Sequence, residues 1–197
     1  KGTKQLGKKP ILINDLKSII NAIHEFNKIE KKKLRDKAIL LVGFSGGFRR
    51  SELVEIEYDD VEFVSEGVKI FIKRSKTDQS GEGMIKAIPY FENKNFCPVV
   101  NLKKWIDYSV IKSGKVFNIS DKSVALIIKK YASLSGLDPN KYGGHSLRSG
   151  FATSTAESGA EERNIMAMTG HKTTQMVRRY IQDANLFKNN ALNKIKI

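Results

Sequence analysis

Apolar residues recur at helical spacing along most of this chain. One face of a first helix, for which Asn14 is the expected N-cap, is formed by Leu16, Ile19, Ile20, Ile23 and Phe26. Residues 33–44 predict a second, more apolar helix, and the stretch SELVEIE predicts a short third one. After Pro98 the helical spacing returns, at Leu102, Trp105, Ile106, Val124, Ile127, Ile128 and Tyr131. Three or four further short helices are expected over residues 146–195.

One segment between these helices has a different pattern and predicts strands. The stretch VEFVSEGVKIFIKRSK alternates, is rich in β-branched residues, and predicts two strands joined by a Glu-Gly turn. TDQSGEG has the composition of a turn-forming loop, and MIKAIPY predicts a third strand. The whole pattern therefore predicts an α+β fold that is mainly α-helical, with one small three-stranded antiparallel sheet within residues 60–90.

Length and composition indicate one folded domain, and its charge points to a class of partner. The chain has 197 residues, of which 40% are hydrophobic, and this is enough to bury a core. It carries 35 Lys and Arg against 21 Asp and Glu, a formal net charge of +14. Such an excess favours a polyanionic partner, with nucleic acid ahead of a membrane surface, although solubility alone would also explain it.

Cysteine and histidine usage argues against two kinds of structural site. Cys97 is the only cysteine, so an internal disulfide cannot form and a reducing compartment is expected. The three histidines and this cysteine lie far apart in sequence, which argues against a structural zinc site. No apolar run approaches the roughly 20 residues that a membrane span needs, and no signal peptide is recognisable. A membrane partner is therefore not expected.

The stretch GGHSLRSGFAT, residues 143–153, places His145 and Arg148 three residues apart. In the first turn of a helix both side chains would lie on one face, and the preceding glycines would let a ligand approach the backbone. Helix N-termini also favour phosphate groups. The alternative is a surface histidine and arginine at an ordinary helix start.

The stretch TGHKTTQMVRRYI, residues 169–181, contains His171 and Tyr180. On one unbroken helix, nine residues at about 100° each would place these side chains on opposite faces. Gly170 as a C-cap, with Thr173 or Thr174 as the next N-cap, predicts a bend that brings both side chains to one cleft. The alternative is that Tyr180 belongs to an ordinary apolar stripe, formed by Met176, Val177, Tyr180 and Ile181.

Two further stretches supply candidate cations. In GGFRRSELVEI, Arg49 lies between a glycine turn and a short helix, where its planar guanidinium could grip two phosphate oxygens or simply pair with Glu52. In IKRSKTDQSGEG, basic residues at the end of a strand enter the predicted loop, and Lys76 is the last of them. A lysine there is either a solvated charge or a mobile proton donor.

Taken in chain order, these stretches resemble the catalytic domain of the tyrosine recombinases, the phage integrase family. The matching elements are Arg49 in G-x-R-x-S-E-L, Lys76 in S-K-T-D-Q, His145 and Arg148 in H-S-L-R, and then Gly170-His171 and Tyr180. Each motif is weak alone, but the ordered set is specific. The likeness spans about residues 14–190, and the resemblance implies the catalytic-domain fold of that family.

The resemblance also implies a role for each candidate residue. Tyr180 would be the nucleophile that attacks a DNA phosphate, giving a 3′-phosphotyrosine and a free 5′-hydroxyl. Arg49 and Arg148 would clamp the non-bridging oxygens, assisted by His171. His145 would be a general base or positioning group, and Lys76 the acid for the 5′-oxygen. A phenol with a pKa of about 10 needs such cations to react at neutral pH.

Partners, cofactors and location follow from the same resemblance. The expected partners are double-stranded DNA and other copies of the chain, in a tetrameric synapse. No metal, nucleotide or other cofactor is expected, because the phosphotyrosine stores the bond energy and the arginines can replace a metal. The resemblance suggests a phage or another mobile element as the source, and a cytoplasmic, nucleoid-associated location in a bacterial cell.

The resemblance divides the chain into three parts. Residues 1–12 would be a basic linker from an N-terminal DNA-clamping domain that is missing here, and residues 13–183 the catalytic domain. Residues 184–197 would form a tail helix that docks on a neighbouring subunit, although packing on its own molecule is the simpler alternative. The apolar face of this tail is formed by Leu186, Phe187, Leu192 and Ile195.

The sequence departs from the family pattern at two places. An apolar residue usually follows the first arginine, and here Arg50 does; the usual Thr-Gly before this motif is Gly46-Gly47. Two other functions stay open: a non-catalytic DNA-binding module, and an enzyme similar to type IB topoisomerases, which relaxes supercoils without exchanging partners. The intact set of motifs argues against the first, and partner exchange between two marked sites would distinguish the second.

Overall fold

The computed structural model of the chain describes residues 7–73, 83–171, 173–185 and 195, with residues 176 and 182–185 described in their backbone only. Within these ranges the helices are α1 (Ile13–Phe26), α2 (Glu30–Ser45), α3 (Arg50–Val54), α4 (Pro98–Ser109), α5 (Asp121–Leu134), α6 (Ser146–Glu157), α7 (Glu162–Thr169) and α8 (Thr174–Asn185). Short 3₁₀ turns occur at Tyr58–Asp60 and Pro139–Lys141. Among the described helices, none is long and apolar enough to cross a membrane.

The predicted small antiparallel sheet of three strands is confirmed. Its strands β1 (Val61–Val64), β2 (Gly67–Ile72) and β3 (Met84–Pro89) form an antiparallel sheet in the order β1-β2-β3. The first residue of β2 is a glycine, Gly67, because a Cβ atom at this position would lie 2.1 Å from the carbonyl oxygen of Ile88. With its mainly helical content, the structure has the predicted α+β class.

Helix starts were predicted less well than helix positions. Asn14 is not the N-cap of α1, because the helix already begins at Ile13 and its cap residue is Leu12. The second helix begins at Glu30, three residues before the predicted start. Its first turn, EKKK, is polar and carries no apolar periodicity, so hydrophobic spacing could not reveal it. The third helix ends at Val54, and Glu57 instead forms a β-bridge with Lys115.

Helix α2 forms the centre of the main core. Residues 38–48 are all buried, because α1, α4, α5 and α6 pack around this helix and the turn that follows it. Trp105 of α4 closes one side, with its indole N–H donating to the carbonyl oxygen of Val116 at 2.9 Å. The turn at Gly46–Gly47 follows directly from this rigid, buried helix and leads into α3. The position of Arg49, between the turn and α3, is therefore fixed.

A second, smaller apolar cluster joins α6, α7 and α8. Its buried members are Ala152, Ala156, Ile165 and Val177, and Met166, Tyr180 and Ile181 pack partly buried against them. The predicted apolar stripe on α8 is thus present at Val177, Tyr180 and Ile181, whereas the side chain of Met176 lies outside the described residues. This cluster packs α8 against α6.

The residues before α1 lie against α6. Ile11 is fully buried, and its backbone N–H donates to the carbonyl oxygen of Ser146 at 2.9 Å. Gly150 of α6 makes this approach possible, since a Cβ atom there would lie 2.0 Å from the carbonyl oxygen of Ile11. The linker role of residues 1–12 stays a prediction, as does the tail helix, most of which lies outside the described residues.

Candidate active site

The start of α6 brings His145 and Arg148 together, as predicted. His145 is the N-cap residue, and its carbonyl oxygen accepts from the backbone N–H and the hydroxyl of Ser149, at 3.0 Å each. Arg148 points inward and is only 1% exposed. Its Nη1 donates to the carbonyl oxygen of Gly47 at 2.9 Å, whereas its buried Nη2 has no hydrogen-bond partner among the described residues. This nitrogen is a donor without an acceptor.

The predicted bend between His171 and Tyr180 is present. Helix α7 ends at Thr169, and its C-cap Gly170 adopts the left-handed conformation (φ 63°) and donates its N–H to the carbonyl oxygen of Met166. Helix α8 begins at Thr174. The rings of His171 and Tyr180 therefore face each other, with centroids 6.1 Å apart. Across the cleft, Nε2 of His145 lies 3.2 Å from the hydroxyl oxygen of Tyr180. Residues from two separate helices thus meet at the phenol.

The side chain of His171 is fixed by its neighbour. Its Nδ1 lies 2.8 Å from the hydroxyl of Thr169, which in turn lies 2.6 Å from the carbonyl oxygen of Ile165. A hydroxyl has one hydrogen to donate. The carbonyl oxygen of Ile165 can only accept, so it takes that hydrogen, and Nδ1 of His171 carries the ring proton and donates it to the hydroxyl oxygen of Thr169. In the neutral ring Nε2 is therefore an acceptor, and it becomes a donor only when the ring takes up a second proton.

Arg49 both pairs with Glu52 and belongs to the site. It precedes α3, where Glu52 accepts from its backbone N–H at 3.0 Å and from Nη1 at 2.5 Å. Burial by itself would raise the pKa of Glu52, but the hydrogen bonds from Arg49 and the positive charges of Lys86 and Arg49 outweigh it and lower that pKa. Arg50 instead points away, to Asp121 of α5 at 3.1 Å.

Lys86 is a residue that sequence reasoning missed. It lies on β3, fully buried, with its Nζ donating to the carbonyl oxygens of Gly46 and Met168. Burial, with the charges of Arg148 and Arg49, lowers its pKa to about 8 against the opposing effect of Glu52. A signal was available, because strand alternation places Lys86 on the same face as the buried Ile88.

Lys76 lies outside the described residues, so its role stays a prediction. The lysine at the end of β2 that is described, Lys73, pairs with Glu57 and lies 3.1 Å from Asp60. It therefore faces the 3₁₀ turn and is not one of the residues that meet at Tyr180.

We refer to Arg49, Lys86, His145, Arg148 and His171 as the basic cluster. Burial is the largest cause of the lowered pKa of His171, about 4, and the charges of Arg148 and Arg49 add to it. The pKa of His145 is lowered by the same causes in the same order. Both imidazoles are thus neutral at pH 7.

The pKa of Arg148 reflects the repulsion among the positive charges of the basic cluster. Burial and the charge of Arg49 lower its pKa to about 10, although Glu52 and Tyr180 oppose this. Three positively charged side chains, those of Arg49, Lys86 and Arg148, thus lie around one buried carboxylate. This carboxylate is that of Glu52. An anion bound beside them would relieve the repulsion and accept from the unpartnered Nη2 of Arg148. The arrangement can therefore bind a phosphate group and present a phenol to it.

No metal-binding group was found within the described ranges, in the sense of three or more His, Cys, Asp or Glu side chains placed around one point.

Comparison with known proteins gives matches along nearly the whole chain. Residues 11–186 match the model of the phage integrase family. An integrase/recombinase xerD homolog of Selenomonas ruminantium is 47% identical, over 99% of this chain and 60% of the relative. A tyrosine recombinase of Agathobacter rectalis is 31% identical, over 78% of this chain and 49% of the relative. The chain thus spans about half to three-fifths of the length of these curated relatives.

Solved structures show the same fold. The XerH recombinase in its post-cleavage complex with palindromic difH substrate aligns with a TM-score of 0.74 and 16% identity, over 96% of this chain and 57% of the other. A lambda integrase tetramer bound to a Holliday junction aligns with a TM-score of 0.62 and 19% identity, over 98% of this chain and 52% of the other. The predicted recombinase catalytic-domain fold is confirmed.

Proposed function

The chain belongs to the phage integrase family, and from this membership we propose that it is the catalytic part of a site-specific DNA recombinase. It cleaves and rejoins DNA through a 3′-phosphotyrosine intermediate. One observation carries the proposal: Nε2 of His145 lies 3.2 Å from the hydroxyl oxygen of Tyr180, beside the buried Arg148. Nη2 of this arginine has no hydrogen-bond partner among the described residues.

In the proposed cleavage step, the hydroxyl oxygen of Tyr180 attacks the scissile phosphorus. The bond from oxygen to phosphorus forms as the bond from phosphorus to the 5′-oxygen breaks. His145 accepts the phenolic proton, which its lowered pKa permits because the imidazole is neutral and has a free lone pair at pH 7. The 5′-oxygen leaves as a hydroxyl after it takes a proton. Lys76 is the expected donor of that proton, by the family resemblance.

The two arginines stabilise the charge that develops on the non-bridging oxygens. Arg148 is held rigid by burial and by its bond to Gly47, so its free Nη2 needs no reorganisation when the phosphate arrives. Arg49 is oriented by Glu52, and His171, whose ring is fixed by Thr169, can donate through Nε2 once the ring takes up a second proton beside the bound phosphate. Rejoining is the reverse of this step, with the 5′-hydroxyl as nucleophile, and consumes no nucleotide cofactor.

The proposal extends to partners and place. Double-stranded DNA is the substrate, and the net charge of +14 suits it. Other copies of the chain assemble with it on DNA, as in the lambda integrase tetramer bound to a Holliday junction. A cytoplasmic, nucleoid-associated location follows. The origin in a phage or mobile element stays a prediction.

The test is covalent trapping on nicked duplexes with a randomised central sequence. A nick beside the cleavage point releases the short 5′-hydroxyl strand, so that rejoining fails and the adduct accumulates. We expect DNA attached to denatured protein, and sequencing of that DNA should give the preferred site. No adduct from any duplex would support a non-catalytic DNA-binding module. Relaxation of supercoils without strand exchange between two marked duplexes would support a topoisomerase.

A further inference from the structure

Lys86 is enclosed by parts of the site that are far apart in sequence. Its Nζ donates to the carbonyl oxygen of Gly46 at 2.8 Å and also to the carbonyl oxygen of Met168. The ring of Phe48 covers the ammonium, with its centroid 4.9 Å from Nζ. Gly46 makes room for that ring, since a Cβ atom there would lie 2.1 Å from it. The lysine thus bridges two segments 122 residues apart.

Each carbonyl oxygen that accepts from Lys86 belongs to a residue whose next neighbour holds a member of the basic cluster in place. Gly46 is followed by Gly47, whose carbonyl oxygen accepts from Nη1 of Arg148. Met168 is followed by Thr169, which fixes the ring of His171. The ammonium of Lys86 therefore connects the turn that orients Arg148 to the end of α7, which orients His171.

The environment of Lys86 is unfavourable for a lysine that serves stability alone. Burial disfavours its charge, and two arginines repel it. Full burial also prevents it from touching DNA directly. Its contribution must then come through the groups that it contacts.

We propose that Lys86 is a positioning residue, which ties the Gly46–Gly47 turn to the end of α7 and so holds Arg148 and His171 at the spacing that the phosphate requires. The inference rests on the proposed function, because the spacing matters only for a reaction at phosphorus. It predicts that loss of the ammonium slows cleavage without weakening DNA binding.

The first experiment replaces Lys86 by methionine, which has similar length and no charge. The matched control is Lys69→Met on β2, an exposed lysine paired with Glu62 at 3.5 Å. At saturating DNA, we expect Lys86→Met to form the covalent adduct about 10- to 100-fold more slowly than wild type, the effect of small misplacements in a site. The Kd for DNA should stay within about twofold, and Lys69→Met should react as wild type.

A chemical rescue separates positioning from packing. In a Cys97→Ala background, Lys86→Cys is alkylated while unfolded, either with 2-bromoethylamine, which rebuilds a lysine-like ammonium, or with 1-bromopropane, which rebuilds only the shape. After refolding, the aminoethyl form should recover most of the cleavage rate, and the propyl form should stay slow. Equal rates for the two forms would overturn the proposal. So would a slow rate explained wholly by a smaller folded fraction, measured by circular dichroism.

The outcomes keep the two proposals distinct. A wild-type chain that forms no adduct with any duplex refutes the recombinase function, and the role of Lys86 falls with it. A wild-type chain that forms the adduct while Lys86→Met forms it equally fast refutes the role of Lys86 alone.

Discussion

Arg148 and Tyr180 face the same cleft, but the molecule holds them in different ways. Arg148 is 1% exposed, lies beside the main core, and is bonded to the turn that follows the central helix α2. Tyr180 is only partly buried, on a helix that packs against a small cluster of four buried residues, three of them on α6 and α7. The cations are thus fixed by the whole fold, and the phenol by a local contact.

This difference has a chemical meaning. Cations that must stabilise developing charge work best when they cannot relax, and burial among neighbouring charges supplies that rigidity at a cost in stability. Tyr180, the proposed nucleophile, is on an element with fewer buried contacts. Changes to the basic cluster should therefore affect both folding and rate, whereas changes at the phenol should affect chemistry alone.

The largest effect is expected for Tyr180→Phe. The ring keeps its contacts with the small cluster, and the substitution removes the exposed hydrogen bond to His145, so the free energy of unfolding should fall by about 1 kcal/mol. Covalent adduct formation should cease entirely, because phenylalanine has no hydroxyl for in-line attack at the phosphorus. Urea unfolding and adduct trapping measure the two quantities, with the exposed Tyr108→Phe as the control. An adduct from Tyr180→Phe would contradict the assignment.

Arg148→Met should come next, and here rate and folding should change together. Loss of a fixed cationic donor slows cleavage by about 10²- to 10³-fold at saturating DNA. The carbonyl oxygen of Gly47 loses its donor, at a cost of about 1 kcal/mol. With the repulsion removed, the pKa of His171 should rise, which NMR titration can detect. The exposed Arg163→Met is the control; a cleavage rate near that of wild type for Arg148→Met would remove Arg148 from the mechanism.

A smaller loss, about 10- to 100-fold in cleavage rate, is expected for Arg49→Ala, because this guanidinium is partly exposed and shares its role with Arg148. Arg50→Ala should change the rate by no more than about threefold, because its partner is Asp121 on the surface. Single-turnover cleavage of the pair tests the register of the motif. An inactive Arg50→Ala beside an active Arg49→Ala would show that the register is wrong by one residue.

The smallest effect concerns stability against pH. The pKa of His171 in the folded chain, about 4, lies below its usual value of about 6.5, so the unfolded chain takes up the proton first as pH falls. Folding stability should therefore decrease between about pH 6.5 and pH 4, and His145, whose pKa is also lowered, contributes in the same direction. His171→Asn should make this decrease shallower in urea unfolding at several pH values. An unchanged slope would contradict the buried, neutral state of His171.

The sequence predicted the features that depend on nearby residues better than the features that depend on tertiary contacts. Gly170 and the threonines after it mark the bend that joins His171 to Tyr180, and strand alternation marks the sheet. The N-cap of α1 was wrong because the chain enters that helix from a segment bonded to α6, a tertiary contact. Strand alternation could have indicated that Lys86 is buried, but not what it contacts, since its two carbonyl partners meet only when β3, the α2 turn and α7 pack together.

Peptide mapping of the trapped adduct tests the assignment of Tyr180 as the nucleophile most directly, because it identifies the atom that is bonded to DNA. After nuclease and protease digestion, mass spectrometry should find the nucleotide remnant on the peptide that contains Tyr180, attached through a 3′-phosphate. A remnant on any other residue, or one attached through a 5′-phosphate, would contradict the assignment of nucleophile and polarity.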